Sequence, residues 1–116
     1  MDQELIQEIE ILHKQVCTAL ADPNRLILLY MLQQRGSICP NDMAAELGVP
    51  QSTVSRHLKV LRDCSLVETR RKANQVYYSL ADERIIQALD LMRGILRDRV
   101  IQQASVVTKI EMAIPG

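Results

Sequence analysis

The stretch Gln51-Ser-Thr-Val-Ser-Arg-His-Leu-Lys59 carries a guanidinium, a primary amide, an ammonium and three hydroxyls within nine positions. On a helix advancing about 100° per residue, Ser52, Arg56, Lys59 and Asp63 gather on one side, flanked by Thr53 and Ser55. Val54, Leu58 and Leu61 gather on the other, and His57 falls nearer to them than to the polar face. A polar face of this kind can read the edges of paired bases. The Arg56 fork matches O6 and N7 of guanine, Gln51 matches adenine, and the hydroxyls of Ser52, Thr53 and Ser55 suit phosphates or base edges. A second basic group follows at Arg70, Arg71 and Lys72, suited to phosphates or a minor groove; Asn74 and Gln75 can serve the same end more weakly. The plain alternative is a solvated face and solvated turn charges. Gly48, placed for a tight interhelical turn, and the second basic element downstream weigh against it.

The elements that must hold these groups can be read along the chain. Leu5, Ile9, Leu12, Val16 and Leu20 form a helical stripe over residues 3–20. Ala21-Asp22-Pro23 ends that helix and starts a second, with Asp22 as N-cap and Pro23 in the first turn. The second helix runs to about residue 34, and Leu26, Leu29, Tyr30 and Leu32 make it apolar nearly all round, as a central helix is. Gly36 ends it. A third helix over 40–47 opens on Pro40 and closes at Gly48; a fourth covers 51–63, with the Ser52 and Thr53 hydroxyls placed to cap its first amides. Residues 66–70 and 75–79 have strand composition and form a hairpin around 71–74. Asp82 caps a last helix over 83–107, with a wide stripe of Ile85, Leu89, Met92, Leu96 and Val100 beside Ile86 and Ile101.

The order is α-α-α-α-β-β-α, a mainly α (α+β) winged helix-turn-helix. It is read as one domain over 1–116, with the helix-turn-helix at 40–64, the wing at 66–80 and flanking helices at 3–20 and 83–107. The first and last helices carry more apolar surface than a small domain buries alone. Residues 1–20 and 96–110 are therefore read as two faces of a homodimer interface, the alternative being that they complete a monomer core. A two-fold dimer suits an inverted-repeat operator in double-stranded DNA.

Composition narrows the classes. A chain of 116 residues, 47% hydrophobic and 24% charged, is ordinary for one soluble globular domain. No apolar run approaches the roughly 18 residues of a membrane span, and the acidic N-terminus is unlike a secretion signal, so a cytoplasmic protein without a membrane partner is expected. Net charge is zero, but unevenly spread. Residues 1–22 hold five acids and one lysine, whereas residues 51–75 hold six cations and two acids. The basicity thus falls where phosphates would be met. With no Phe or Trp and three Tyr, stacking platforms for single strands are not expected. No Ser-His-Asp set, paired acids or phosphate loop argues for an enzyme. A winged helix that binds protein is the alternative from another class.

Leu20-Ala-Asp-Pro-Asn-Arg-Leu-Ile-Leu-Leu29, Met43-Ala-Ala-Glu-Leu-Gly48, Ser52-Thr-Val-Ser-Arg-His-Leu-Lys-Val-Leu61, Leu66-Val67 and Val76-Tyr-Tyr-Ser-Leu80 closely resemble the ArsR/SmtB family of bacterial winged-helix repressors. The resemblance covers roughly residues 10–96. It implies a homodimer built from the first and last helices, and an apo-repressor that leaves its operator when an effector binds. It also implies an arginine near the DNA backbone at Arg25, a position equally suited to capping or a salt bridge.

The effector implied for many members is a metal or metalloid ion held by thiolates. Cys39 stands at one family position, but Asn41 occupies that of its partner thiol; Cys64 stands at another, where Val60 replaces the partner. A family site of Asp and His on the last helix has no counterpart, since no His follows His57. From the residues alone, Cys17 and Cys39 could meet across a dimer, with His13 one turn before Cys17 as a further ligand; each cysteine could equally be a small buried hydrophobe. A thiolate-bound metal or metalloid, a thiol-reactive signal and a regulator without metal sensing all stay open at this point.

Overall fold

The computed structural model describes the backbone of residues 1–113 and the side chains of residues 1–103. The elements are α1 (Gln3–Leu20), α2 (Pro23–Arg35), α3 (Pro40–Leu47), α4 (Gln51–Asp63), β1 (Val67–Lys72), β2 (Gln75–Leu80) and α5 (Arg84–Ala113). The expected order is the observed one. Residues 1–83 form one compact unit, and α5 belongs to a second.

In the first unit the core is the apolar side of each helix. Leu28, Leu29 and Leu32 of α2, Met43 of α3, and Val54, Leu58 and Leu61 of α4 are all essentially solvent-free. Burying a leucine removes enough apolar surface from water to be worth about 1.5–3 kcal/mol, so these seven side chains hold α2, α3 and α4 together. The caps follow the sequence. Asp22 Oδ1 accepts from the Asn24 amide at 2.9 Å, with Pro23 in the first turn. Gly36, at φ +81°, gives its amide to the Leu32 carbonyl.

The hairpin is tighter than residues 71–74 imply. Arg71 pairs with Val76 and Lys72 with Gln75, leaving Ala73-Asn74 as a two-residue turn with Ala73 at φ +56°. The ladder gains two further pairs this way, which offset the left-handed conformation at an alanine. The sequence also gave no sign of a third pairing. Ile38, between α2 and α3, exchanges backbone hydrogen bonds with Tyr78 of β2 at 3.1 and 2.9 Å. That bridge ties the wing to the helix-turn-helix.

The last helix continues to Ala113, six residues past the expected 107. On it Leu91, Met92, Ile95, Leu96, Val100 and Ile101 are exposed. On α1, Leu5, Ile9, Ile11 and Leu12 are exposed as well, so both stripes lie bare in a single chain. The side chains of residues 104–110, part of the expected interface, lie outside the described residues.

Candidate nucleic-acid interface

Three local decisions set the pose of α4. Gly48 closes α3 in the left-handed region, at φ +68°, and sends its amide to the Ala44 carbonyl. Pro50 then lies extended, at φ −60° and ψ 144°, as the residue before α4. Its carbonyl takes the amides of Thr53 and Val54 at 3.1 and 3.3 Å. The expected hydroxyl cap is absent: no side chain caps α4. With Pro50 as N-cap, Ser52 and Thr53 already stand inside the first turn, where a hydroxyl is past the position from which it could reach the free amides. Gln51 Nε2 instead donates to Ser55 Oγ at 3.0 Å, one turn on.

The two sides of α4 separate as the wheel predicts. Gln51, Ser52, Arg56 and Lys59 are exposed, and Thr53 and Ser55 are half-buried at the edges. The opposite side is the core line of Val54, Leu58 and Leu61. The exposed face is thus one amide, hydroxyls and two cations on a rigid helix.

The wing presents Arg70, Arg71 and Lys72 from β1 itself, not from a loop, and all three are exposed with Asn74 and Gln75. Strand alternation puts Arg70 and Lys72 on the face of Glu68. Arg71 falls on the face of buried Val67 and half-buried Thr69, past the end of the core.

Arg25 is placed differently. It is half-buried and donates Nη1 to the Thr18 carbonyl at 2.5 Å, near the end of α1, while its Nε is buried without a hydrogen-bond partner. The geometry matches the capping role held open for this residue. One contact escaped sequence reasoning. His57 is buried, and its Nε2 lies 3.7 Å from Asp22 Oδ2. The Asp22 carboxyl is held below its usual range chiefly by the Asn24 amide, which outweighs the opposing effect of burial, with smaller help from His57 and Arg25. The only sequence sign of this pair was the place of His57 beside the apolar stripe.

Within one chain the three thiols are free and sit on separate elements. Cys17 is exposed on α1, Cys39 is buried as the N-cap residue of α3, and Cys64 is buried at the end of α4. Burial pushes the Cys64 thiol pKa up, with Arg25 opposing and Asp63 adding to it. His13 is exposed. Among the described residues no three His, Cys, Asp or Glu side chains are grouped to hold a metal ion. No helix among the described residues is long and apolar enough to cross a membrane.

Comparison with known proteins agrees with this geometry. The sequence pattern of the bacterial regulatory protein, arsR family, matches residues 22–69. The chain is 42% identical over 73 residues to the arsenical resistance operon repressor of Bacillus subtilis, covering 63% of this chain and 70% of that protein. It is 46% identical over 69 residues to the transcriptional repressor SmtB homolog of Synechocystis, covering 60% of this chain and 52% of that one. The chain therefore spans about half the length of the latter relative. Among solved structures, the homodimeric winged helix-turn-helix DNA-binding domain from Mycobacterium bovis is similar at a TM-score of 0.74 and 26% identity, covering 86% of this chain and 91% of that one.

Proposed function

The chain belongs to the ArsR family of bacterial regulatory proteins, and we propose that it is a cytoplasmic homodimeric repressor that reads an inverted-repeat operator in duplex DNA with α4 and grips it with the wing. The observation that carries this reading is the separation on α4. Val54, Leu58 and Leu61 anchor one side, and the exposed Arg56 and Lys59 stand with Gln51 and Ser52 on the other. Arg56 takes the base-reading role, with Gln51, Ser52, Thr53, Ser55 and Lys59 around it. Arg70, Arg71, Lys72 and Asn74 meet phosphates or a minor groove. Arg25 is assigned to the α1–α2 junction, where its guanidinium is already engaged.

Two observations support dimerisation: the bare apolar stripes on α1 and on α5, and the homodimeric state of the similar Mycobacterium bovis domain. An effector that releases DNA is part of the same proposal, and the Bacillus subtilis relative makes a metalloid one class to consider. Within one chain the residues do not fit a soft ion, since the three thiols sit on separate elements and Asn41 stands two residues beyond Cys39.

Selection from a pool of random duplexes tests the assignment. The unaltered chain should enrich an inverted repeat, and Arg56→Ala should lose about 1–3 kcal/mol of discrimination at one base pair of each half-site. Binding without sequence preference and without steep salt dependence would point to a protein-interaction module instead.

A further inference from the structure

His57 is the polar residue on the core side of α4. It is 6% exposed, and one turn of helix separates it from Val54 and from Leu61. Its ring turns Nε2 toward Asp22 Oδ2, at 3.7 Å, while Nδ1 is buried with no hydrogen-bond partner. A buried nitrogen left unpaired costs stability, and an apolar side chain of similar size would avoid that cost. The imidazole therefore has to be explained by something other than core packing.

The surroundings supply the explanation. A cavity of about 200 Å³ lies beside the ring, lined by Ile27 and Leu28 of α2, by Val49 of the interhelical turn, and by Thr53 and His57 of α4. Close packing normally fixes the rotation of one helix against another. Here Leu28 and Val54 pack solvent-free on the inner side, but the contact between the start of α2 and the first turn of α4 opens outward into this groove. Apolar packing at that edge therefore leaves room for a polar contact to set the fine rotation. What bridges the gap is polar. Asp22 divides its carboxylate, with Oδ1 capping α2 through the Asn24 amide and Oδ2 facing His57. Three residues on, Arg25 joins the same turn of α2 to the Thr18 carbonyl of α1.

We propose that Asp22 and His57 form a latch between α2 and α4 that sets the rotation of the reading helix, which makes both of them positioning residues for base recognition. The proposal rests on the DNA-reading function assigned above. Its leverage is geometric. Side-chain tips lie about 5–6 Å from a helix axis, so a turn of about 10° moves them by about 1 Å. A displacement of that size exceeds the spread of good hydrogen-bond lengths, so Arg56 would lose its fit to a base edge while Lys59 could still find a phosphate.

The test compares affinity for the selected operator with affinity for unrelated duplex, for the full chain and for His57→Leu, His57→Gln, Asp22→Asn and the double variant His57→Leu/Asp22→Asn. A change in the folded fraction lowers both affinities alike, whereas a latch acts on their ratio. The expected result for His57→Leu is a loss of about tenfold in that ratio, the value of one base contact, with affinity for unrelated duplex changed less than about twofold. Asn caps helices as well as Asp, so Asp22→Asn keeps α2 intact and should lower the ratio by a similar factor. Adding it to His57→Leu should cost nothing more, and His57→Gln, which keeps an N–H donor, should recover part of the ratio. Unchanged ratios in Asp22→Asn and His57→Gln, or losses that simply multiply in the double variant, would overturn the latch even if His57→Leu failed to fold. Absence of operator preference in the unaltered chain would instead refute the DNA-reading assignment.

Discussion

Removing the wing cations should change the salt dependence of DNA binding by an amount that the strand geometry limits. Each phosphate neutralised by a cation contributes about 0.9 to the slope of log affinity against log salt. Arg70 and Lys72 share one face of β1, and Arg71 points to the other. In a dimer, Arg70→Ala/Lys72→Ala removes four cations that can lie along one backbone, so the slope should fall by up to about 3.6. Over a fourfold rise in salt that amounts to about 150-fold less loss of affinity. Arg71→Ala should change the slope by at most about 1.8, since it removes one cation per copy. The assay is fluorescence anisotropy of a labelled operator across a series of KCl concentrations, with circular dichroism confirming that the hairpin persists. Salt-bridge loss within the protein is not a competing cause, because Arg70, Arg71 and Lys72 are exposed side chains. A slope unchanged in Arg70→Ala/Lys72→Ala would refute the placement of the wing on phosphates. A larger effect for Arg71→Ala than for the double variant would show that the opposite face of the strand meets DNA.

Three further outcomes follow from burial and ionisation. Leu58 is solvent-free at the centre of the α4 core line, so Leu58→Ala should cost about 3–5 kcal/mol in a urea titration; a cost below about 1 kcal/mol would mean that this line does not carry the fold. The lowered pKa of Asp22 adds stability at pH values above the unfolded carboxyl's titration, and that stability disappears as pH falls through the lower native value. Asp22→Asn should therefore lower stability in the neutral region of a pH–stability curve and flatten the acid limb, with the two curves converging at low pH, and an identical acid limb would refute the linkage. Cys17 is exposed while Cys39 and Cys64 are buried, the latter with its thiol pKa raised. A thiol reagent applied to the native protein should label Cys39 and Cys64 slowly, and both should react fast in denaturant. Fast labelling of Cys64 in the native state would show that the end of α4 opens.

How far the fold could be read depended on whether the signal was local. The helix limits at Pro23, Gly36, Pro40 and Gly48 each rest on one residue whose backbone preference acts on its own neighbours, and all four were legible. The alternation of α4 into a core side and an exposed side was legible for the same reason. The wing was less so. Arg71 and Lys72 look like turn residues by composition, and only the register of β1 on β2 shows them paired. The Ser52-Thr53 cap misled because one residue of shift, with Pro50 as the N-cap, moves a hydroxyl from outside the helix to inside it. The Ile38–Tyr78 bridge and the Asp22–His57 contact join residues 40 and 35 positions apart, and no periodicity announces contacts of that kind.

The same distinction separates reading DNA from sensing an effector. The groups assigned to DNA lie within residues 51–74, on one helix and one hairpin whose backbones hold them without help from a second chain. The thiols are arranged the other way. Cys17, Cys39 and Cys64 stand on α1, at the start of α3 and at the end of α4, and the described residues of one chain group no three donors together. Cys17 lies on the same helix as the bare Leu5, Ile9 and Leu12 stripe, so it is the thiol carried by an element that dimerisation would cover. A soft ion held through Cys17 would then draw donors from both copies. Binding of that ion and assembly of the dimer would be thermodynamically linked, each strengthening the other. Sensing of that kind would be a property of the pair, whereas the face of α4 proposed to read bases is formed within each chain.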